Sequence, residues 1–598
     1  MIDFDNVLLE IGQMGRYQLG MYLLLCIPAT IPAAFIAFQQ VFIVATPDHW
    51  CWVPQLSNLS VAHRKALSLP PGESGGYDSC TMYDVNYTVL WYQEGGQWPE
   101  RANASWPTAP CQHRWEYDTT FYDETLTTKF DLVCADKWQP GFSITLFFTG
   151  SLFGNVLFGW MADKWGRRTG TLVIMLVAIP LSILCSFSTN FTMYMAIRTV
   201  VGFTFPALYQ IPFILALELM GPAYRTFAGM VICVFFAFAL ALLAGIAYLC
   251  RHWFVLSLSL SVPWVLLASY YWIMPESPRW LIQNARLEEA ERIVQKIAKV
   301  NKKPIPTNYL EGIKELNEPD VPAEPAPVSM RCLVCGYPNI RKKFLIITFS
   351  WTANAIVYNG LSYNATDLGV SDYLAFFISA MVEVPSYFIV MYTMERWGRR
   401  LSLCATMLLG GLACVSCIFV PKEAVWWTVT LAMVGKFGIA GSFAVIYVFS
   451  GELLPTVIRS QAMAVASFFA GIGLLIFPQI LELKAYGRLL PVIIMGSVTL
   501  LGAFVSFFLP ETLHQHLPET MEEGENFGKG EPNIRWRCAD TLLPFSWKRR
   551  RAEAVDSTAA AAEETLPMTK SRPYNGFLEV ARWSNGDQSE SSMRALVS

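Results

Sequence analysis

Charge is scarce in this chain. Asp, Glu, Lys and Arg make up 15% of its 598 residues and nearly cancel, at a net −3, against about a quarter of residues in ordinary soluble domains. Without a basic excess nothing neutralises a phosphate backbone, which excludes nucleic acid as a partner. Histidine is equally thin, with six residues and no H-E-x-x-H or comparable pairing, and a lone C-x-x-C at Cys332 and Cys335 has no second pair to complete a zinc site. There is no G-x-x-x-x-G-K-[ST] phosphate loop, so ATP-driven pumping is excluded. The first long apolar run follows Asp3, Asp5 and Glu10. It has no basic n-region and no cleavage site, which reads as a retained helix, not a signal peptide. The sequence therefore predicts no enzyme, no cofactor and no bound metal.

What the chain has in quantity is apolar surface. It is 54% hydrophobic, with a mean hydropathy of +0.36. A bilayer core of about 30 Å needs about 20 apolar residues as helix, the one open-chain form that satisfies its own backbone there. Runs of that length occur at 20–44, 141–161, 170–189, 194–216, 226–249, 253–274, 343–362, 372–393, 401–420, 425–449, 462–482 and 489–509. They predict an all-α membrane protein of twelve transmembrane helices.

The connectors orient it. "DKWGRR" after the second helix, "ERWGRR" after the eighth and the lysine-rich stretch ending in "IRKK" at 340–343 are basic, and basic connectors stay cytoplasmic. An even helix count then places both termini inside, and the segment from Thr46 to about Gln139 outside. That segment holds sequons at Asn58, Asn86 and Asn103, usable only outside. It also holds Cys51, Cys80, Cys111 and Cys134, an even set suited to two disulfides with three possible connectivities. Asn190 and Asn364 match the sequon but fall at predicted helix ends, where no glycan is expected.

The basic turn is written twice. Gly398 lies 232 residues after Gly166, Glu452 lies 234 after Glu218 and Glu511 lies 235 after Glu276. One offset shared by three pairs means a duplicated six-helix unit, two parallel repeats about an axis along the membrane normal. Gly166 and Gly398 allow a tight reversal. Asp163 and Glu395 put a carboxylate at the helix end, and Arg167, Arg168, Arg399 and Arg400 can bridge it to a neighbouring helix terminus. "ELMGPAYR" and "ELLPTVIR" add Glu218, Arg225, Glu452 and Arg459 to a candidate inner gate. The simpler alternative is topology signalling by positive charge, but a matched pair at the same repeat position favours a latch.

These motifs resemble the major facilitator superfamily, whose G-x-x-x-D-R/K-x-G-R-R loop starts here at Gly159 and whose R-x-x-x-G matches Arg198 and Gly202. "FDNVLLEIGQMGRYQ" from Phe4, "TPDHWC" from Thr46, "GKFGIA" from Gly435 and "LPETMEEGENF" from Leu517 are similar to the organic cation, carnitine and organic anion transporters within it, over residues 1–530. The resemblance implies alternating access and cation-binding aromatics on the fourth, fifth and seventh helices, which match Tyr209, Phe236, Trp351 and Tyr358. It also implies a charged residue in the eleventh helix, and Gly471 stands there instead.

Two charges fall mid-membrane, Glu383 in "MVEVPSY" and Lys436 in "VGKFGIA". Each costs at least about 2.5 to 3.5 kcal/mol alone, so each needs a partner or a wet cavity. Either they pair and tie the eighth helix to the tenth, or Glu383 draws an ammonium into a cavity whose rings add up to about 2 kcal/mol each while Lys436 holds a carboxylate. The latter suits an amine or zwitterion resembling carnitine, carcinine or β-alanine, for which this family has transporters. An organic anion anchored by Lys436 is the alternative, as is a non-transporting receptor on the same fold. The expected plan is a cytoplasmic N-terminus over 1–19, bundles at 20–274 and 343–509, an external loop at 45–139, a cytoplasmic loop at 275–342 and a tail at 510–598 lacking the apolar content to fold. The expected setting is the plasma membrane, with sodium or a proton as the candidate coupled ion.

Overall fold

The computed structural model describes residues 4–72, 76–304, 336–421, 423–455, 457–513, 515, 517–518 and 520–529. Cys332, Cys335, the proline-rich linker and the tail after Pro532 lie outside the described residues. Twelve apolar helices follow one another: α1 Arg16–Ile43, α2 Trp138–Trp165, α3 Arg167–Ser186, α4 Phe191–Glu218, α5 Pro222–Leu249, α6 Trp253–Ile273, α7 Pro338–Tyr363, α8 Asp372–Trp397, α9 Arg399–Ser416, α10 Val425–Leu453, α11 Arg459–Glu482 and α12 Leu490–Ser506. Among the described residues eleven helical spans are long and apolar enough to cross a bilayer, and Leu490–Ser506 is the short twelfth. Each lies on one predicted run. All but α6 and α12 reach two to five residues further than predicted toward the face that carries the two G-R-R turns, called here the arginine face.

Proline stands inside α1, α3, α4, α8 and α11, which membrane helices tolerate where a neighbour satisfies the freed backbone group; at Pro28 the freed Leu24 carbonyl accepts from the Tyr270 hydroxyl of α6 at 2.8 Å. Small residues let helices touch, as lipid supplies no hydrophobic drive between them. A Cβ on Gly154 of α2 would fall 1.9 Å from the Phe203 carbonyl oxygen of α4, and one on Gly202 would fall 2.3 Å from that of Phe147. The buried Arg198 guanidinium lies 4.5 Å over the Phe147 ring and donates to the Ile36 carbonyl of α1, so α1, α2 and α4 lock together.

Between α1 and α2 stands a small domain with its own core outside the helix bundles, called here the outer domain. His49–Cys51 pairs antiparallel with Trp115–Tyr117, and Thr81–Tyr83 with Thr108–Pro110. Its own core gathers Trp50, Leu56, Leu67 and Leu90. Of the three possible connectivities the structure has Cys51–Cys111 and Cys80–Cys134, and the second ties the domain to the approach to α2. His49 comes close to Cys80 and Cys134, but both sulfurs are spent in the disulfide, so this grouping offers no metal its ligands. Burial holds the His49 imidazole below its ordinary value, against the Pro47 carbonyl and the Asp48 charge. The face carrying this domain is called the disulfide face.

Candidate functional site

The two arginine turns are near copies. Gly166 has φ +99° and Gly398 φ +92°, the region where glycine is free and other residues are strained. A Cβ on either would also collide with a glutamate, Glu276 at 2.3 Å and Glu511 at 2.5 Å. Those glutamates cap the next helix. Glu276 Oε1 accepts from the Arg167 and Arg168 amides at 2.7 and 3.2 Å, and Glu511 accepts from the Arg399 and Arg400 amides at 2.8 and 3.1 Å. Sequence reading had aligned Glu276 with Glu511 only as repeat markers. Glu276 lies 110 residues after Gly166 and Glu511 113 after Gly398, so no fixed spacing marked either as a cap.

Arg167 then bridges Asp163 at 2.7 Å and Glu218 of α4 at 3.2 Å. Arg399 bridges Glu395 at 3.7 Å and Glu452 of α10 at 3.0 Å. Arg168 donates to the Tyr271 carbonyl at 2.6 Å, and Arg400 lies 4.6 Å over the Phe507 ring. Arg225 and Arg459 each donate to a carbonyl five residues upstream, Met220 and Leu454. These bonds join helices within a half, so each half carries its own rigidly braced arginine face.

Deeper in the second half, Glu383 and Lys436 meet. The ammonium lies 2.9 Å from Glu383 Oε1, with the two side chains 0% and 2% exposed. Tyr358 and Tyr387 hydroxyls donate to Glu383 Oε2 at 3.0 and 2.9 Å. Lys436 donates to Ser362 Oγ at 2.5 Å and the Tyr358 carbonyl at 3.3 Å, and lies 3.3 Å over the Tyr358 ring. Of the two readings of these charges, the pairing one describes this conformation. Rings continue away from it: Tyr358 to Phe443 at 5.6 Å, Phe443 to Tyr447 at 5.5 Å and Trp351 to Tyr447 at 4.3 Å. Trp351 donates to Ser450 Oγ at 2.8 Å, while Tyr447 is 42% exposed. The implied first-half rings gather separately, with Tyr209 6.1 Å from Phe236 and Phe236 6.2 Å from Phe38. Tyr363 of α7 meets Phe38 at 5.5 Å. Gly471 presses on Leu152 of α2, where a Cβ would come within 2.6 Å, so the eleventh helix offers packing at that place and no ion. Tyr387, Ser362, Phe443 and Tyr447 were missed. The i,i+4 spacings Glu383–Tyr387, Tyr358–Ser362 and Phe443–Tyr447 could have found them.

Sequence comparison adds the family. Residues 103–523 match the model described as "Sugar (and other) transporter". The chain belongs to that family, in the major facilitator superfamily. A member of it is a membrane transporter and not an enzyme. Its relatives include the carcinine transporter of Drosophila melanogaster, 40% identical over 94% of this chain and 86% of that protein. Organic cation transporter 1 of Caenorhabditis elegans is 38% identical over 88% and 89%. The human organic cation/carnitine transporter 2 is 34% identical over 88% and 94%. Among solved structures, the inward open conformation of the xylose transporter XylE from E. coli matches with a TM-score of 0.55 at 14% identity, covering 86% of this chain and all of that one. At that identity it supports the fold alone.

Proposed function

We propose that this transporter carries small organic cations or zwitterions across the plasma membrane by alternating access, with the arginine face and both termini in the cytoplasm. The carrying observation is the Glu383–Lys436 pair set among Tyr358, Tyr387 and Ser362. A buried ion pair is held by its own attraction and by hydrogen bonds, since desolvation opposes it. A zwitterion exchanges both partners at once: its ammonium takes the place of Lys436 at Glu383, and its carboxylate takes the place of Glu383 at Lys436. With a zwitterion, the completed exchange leaves both Glu383 and Lys436 compensated. The ring series Tyr358, Phe443, Tyr447 and Trp351 offers cation-π faces along the way, and Tyr209 and Phe236 contribute from the other half as it closes. The names of the relatives, carcinine, organic cation and organic cation/carnitine transporters, support this substrate class.

The arginine clusters at Asp163–Arg167–Glu218 and Glu395–Arg399–Glu452 act as inner braces, with Arg168, Arg225, Arg400 and Arg459 completing them. The exposed Asn58, Asn86 and Asn103 are the glycan sites of the outer domain. A transported monocation gains about 2.3 kcal/mol per 100 mV of membrane potential, enough to concentrate it without a coupled ion; sodium or a proton is the candidate where coupling occurs.

Uptake of labelled carcinine, β-alanine, carnitine and tetraethylammonium into expressing cells tests the reading, with sodium replaced in a parallel arm. Saturable uptake of at least one, lost in Glu383→Gln, is the expected result. Loss in Lys436→Ala with indifference at Glu383 would transfer the protein to organic anions. Surface expression with no uptake of any of them would remove the substrate assignment.

A further inference from the structure

An apolar groove of about 770 Å³ runs between α3 and α6 on the outer wall of the first half. Its walls are Leu172, Leu176 and Ile183 on one side and Val265, Ala268 and Tyr271 on the other. The groove has a local cause. From Val262 to Ser269, with Pro263 at its start, α6 winds as a 3₁₀ helix, a tighter cylinder than the α-helix, so α6 draws away from its neighbour. The fold does not impose this, because the corresponding pair in the second half is zipped shut. There a Cβ on Gly411 of α9 would fall 2.7 Å from Leu500 of α12, and one on Gly496 would fall 2.8 Å from Cys414. The rim faces the bilayer, with Leu176 74% and Leu266 77% exposed.

Apolar walls alone give no reason to hold one chain in preference to bulk lipid, since lipid tails are as apolar as leucine. The end of the groove supplies the preference. One turn before Leu172, the Arg168 guanidinium lies 5.6 Å over the Tyr271 ring and donates from Nη2 to the Tyr271 carbonyl. Its Nη1 makes no hydrogen bond to the described residues. A guanidinium with donors to spare matches a phosphate better than any other lipid group. From Leu172 to Leu184 the α3 wall runs about 18 Å at 1.5 Å per residue, close to half of the roughly 30 Å hydrocarbon core, which is one leaflet's acyl chain.

We propose that this groove holds one acidic glycerophospholipid from the arginine-face leaflet, its acyl chain along α3 and its phosphate at Arg168. The leaflet fits the cytoplasmic assignment of that face, because acidic lipids concentrate there.

Native mass spectrometry of the full-length protein, purified in detergent and titrated with phosphatidylserine, phosphatidylcholine or cholesterol, tests it without reference to transport. The expected result is one phosphatidylserine retained at activation energies that strip phosphatidylcholine. Filling the groove with Ala268→Trp should lower that retention at least tenfold. Arg168→Gln should erase the preference for phosphatidylserine, and Arg168→Lys should restore part of it if the glutamine variant misfolds. Equal retention of both phospholipids by the unaltered protein, a tighter hold on cholesterol, or unchanged retention in Ala268→Trp would each overturn the site.

Discussion

Glu383 and Lys436 are tolerable in the membrane only as a set. Removing one partner of a buried pair leaves an uncompensated charge and typically costs about 3 to 5 kcal/mol, whereas replacing both with apolar groups of similar volume is often neutral. Lys436→Met and Glu383→Leu should therefore each lower the melting temperature of the purified protein sharply. The double variant should recover most of the loss while transport stays absent. Additive losses in the double variant would show that the two residues do not stabilise through each other. Tyr387→Phe is milder: it removes one of two hydroxyls from Glu383 Oε2, a charge-assisted bond worth about 1.5 to 3 kcal/mol. It separates the roles of the carboxylate, because a binding carboxylate loses affinity for the substrate while a structural one loses only stability. The outer domain has its own titrating residue. His49 is held neutral by burial, its folded pKa lying below the unfolded 6.5, so folding there is favoured above that value and loses support as pH falls below it.

At the scale of elements, the same device begins four helices. Glu276 and Glu511 cap α3 and α9, Asn301 Oδ1 accepts from the Tyr17 amide at 3.1 Å at the start of α1, and Glu525 accepts from the Asn339 and Ile340 amides at 2.9 and 3.0 Å at the start of α7. In both repeats, the segment after the sixth helix reaches back to cap the first and third. Loss of a cap costs about 1 kcal/mol, so Glu276→Ala and Glu511→Ala should each reduce thermal stability by a few degrees and lower the maximal rate of uptake more than substrate affinity. Equal damage to both kinetic parameters would place these glutamates near the substrate instead. Glu525 adds a pH signature. Burial raises its pKa, but Lys529 and the Ile340 and Asn339 amides outweigh that and hold it below its ordinary 4.5. Since folding lowers this pKa, the contact stabilises fully above about pH 4.5 and fades as pH falls through the depressed value; Glu525→Gln should be less stable at neutral pH and lose that acid dependence in a melting series. Much of this architecture was legible beforehand. Apolar length located all twelve helices, and the charges in otherwise apolar runs located Glu383 and Lys436. The arginine-face ends were cut short because the apolar window stops at Met161 or Thr393, whereas α2 runs on through Asp163 and Lys164 and α8 through Glu395 and Arg396, to glycine turns whose arginines, Arg167 and Arg399, are held by Glu218 and Glu452 from distant sequence. The caps were illegible for the same reason. A glutamate 109 residues from the amide it receives leaves no local pattern, and the choice between pairing and binding at Glu383 depends on helix rotation that periodicity in an all-apolar helix does not reveal.

At the scale of the whole molecule, the halves are fastened on the disulfide face. Tyr122 at the end of the outer domain donates to Asp372 Oδ2 of α8 at 2.6 Å, Tyr373 donates to the Phe121 carbonyl at 2.7 Å, and Tyr363 donates to the Ala37 carbonyl at 2.6 Å. Rings seal the same level, with Phe42 stacked 5.5 Å from Tyr373 and Phe376 5.2 Å from Phe42. The arginine clusters brace each half separately. Under the proposed alternating access and orientation, fastening on the disulfide face with separate braces on the arginine face corresponds to a carrier open to the cytoplasm, and opening outward must first break the tyrosine bonds. The one to the Asp372 carboxylate is worth about 1.5 to 3 kcal/mol and the one to the Phe121 carbonyl about 0.5 to 1.5. Since 1.4 kcal/mol is tenfold in an equilibrium constant, Tyr122→Phe with Tyr373→Phe should move the population toward the outward-facing state by tenfold or more. A cysteine placed at Phe376, 1% exposed beneath these bonds, reports the shift through its rate of reaction with a membrane-impermeant maleimide added outside. The double variant should raise that rate about tenfold over Phe376→Cys alone, and saturating substrate should change it in both backgrounds, because a carried ligand redistributes the two states whereas a receptor's ligand need not. Labelling that is indifferent to the tyrosines would mean that the outer domain covers the bundle without holding it closed.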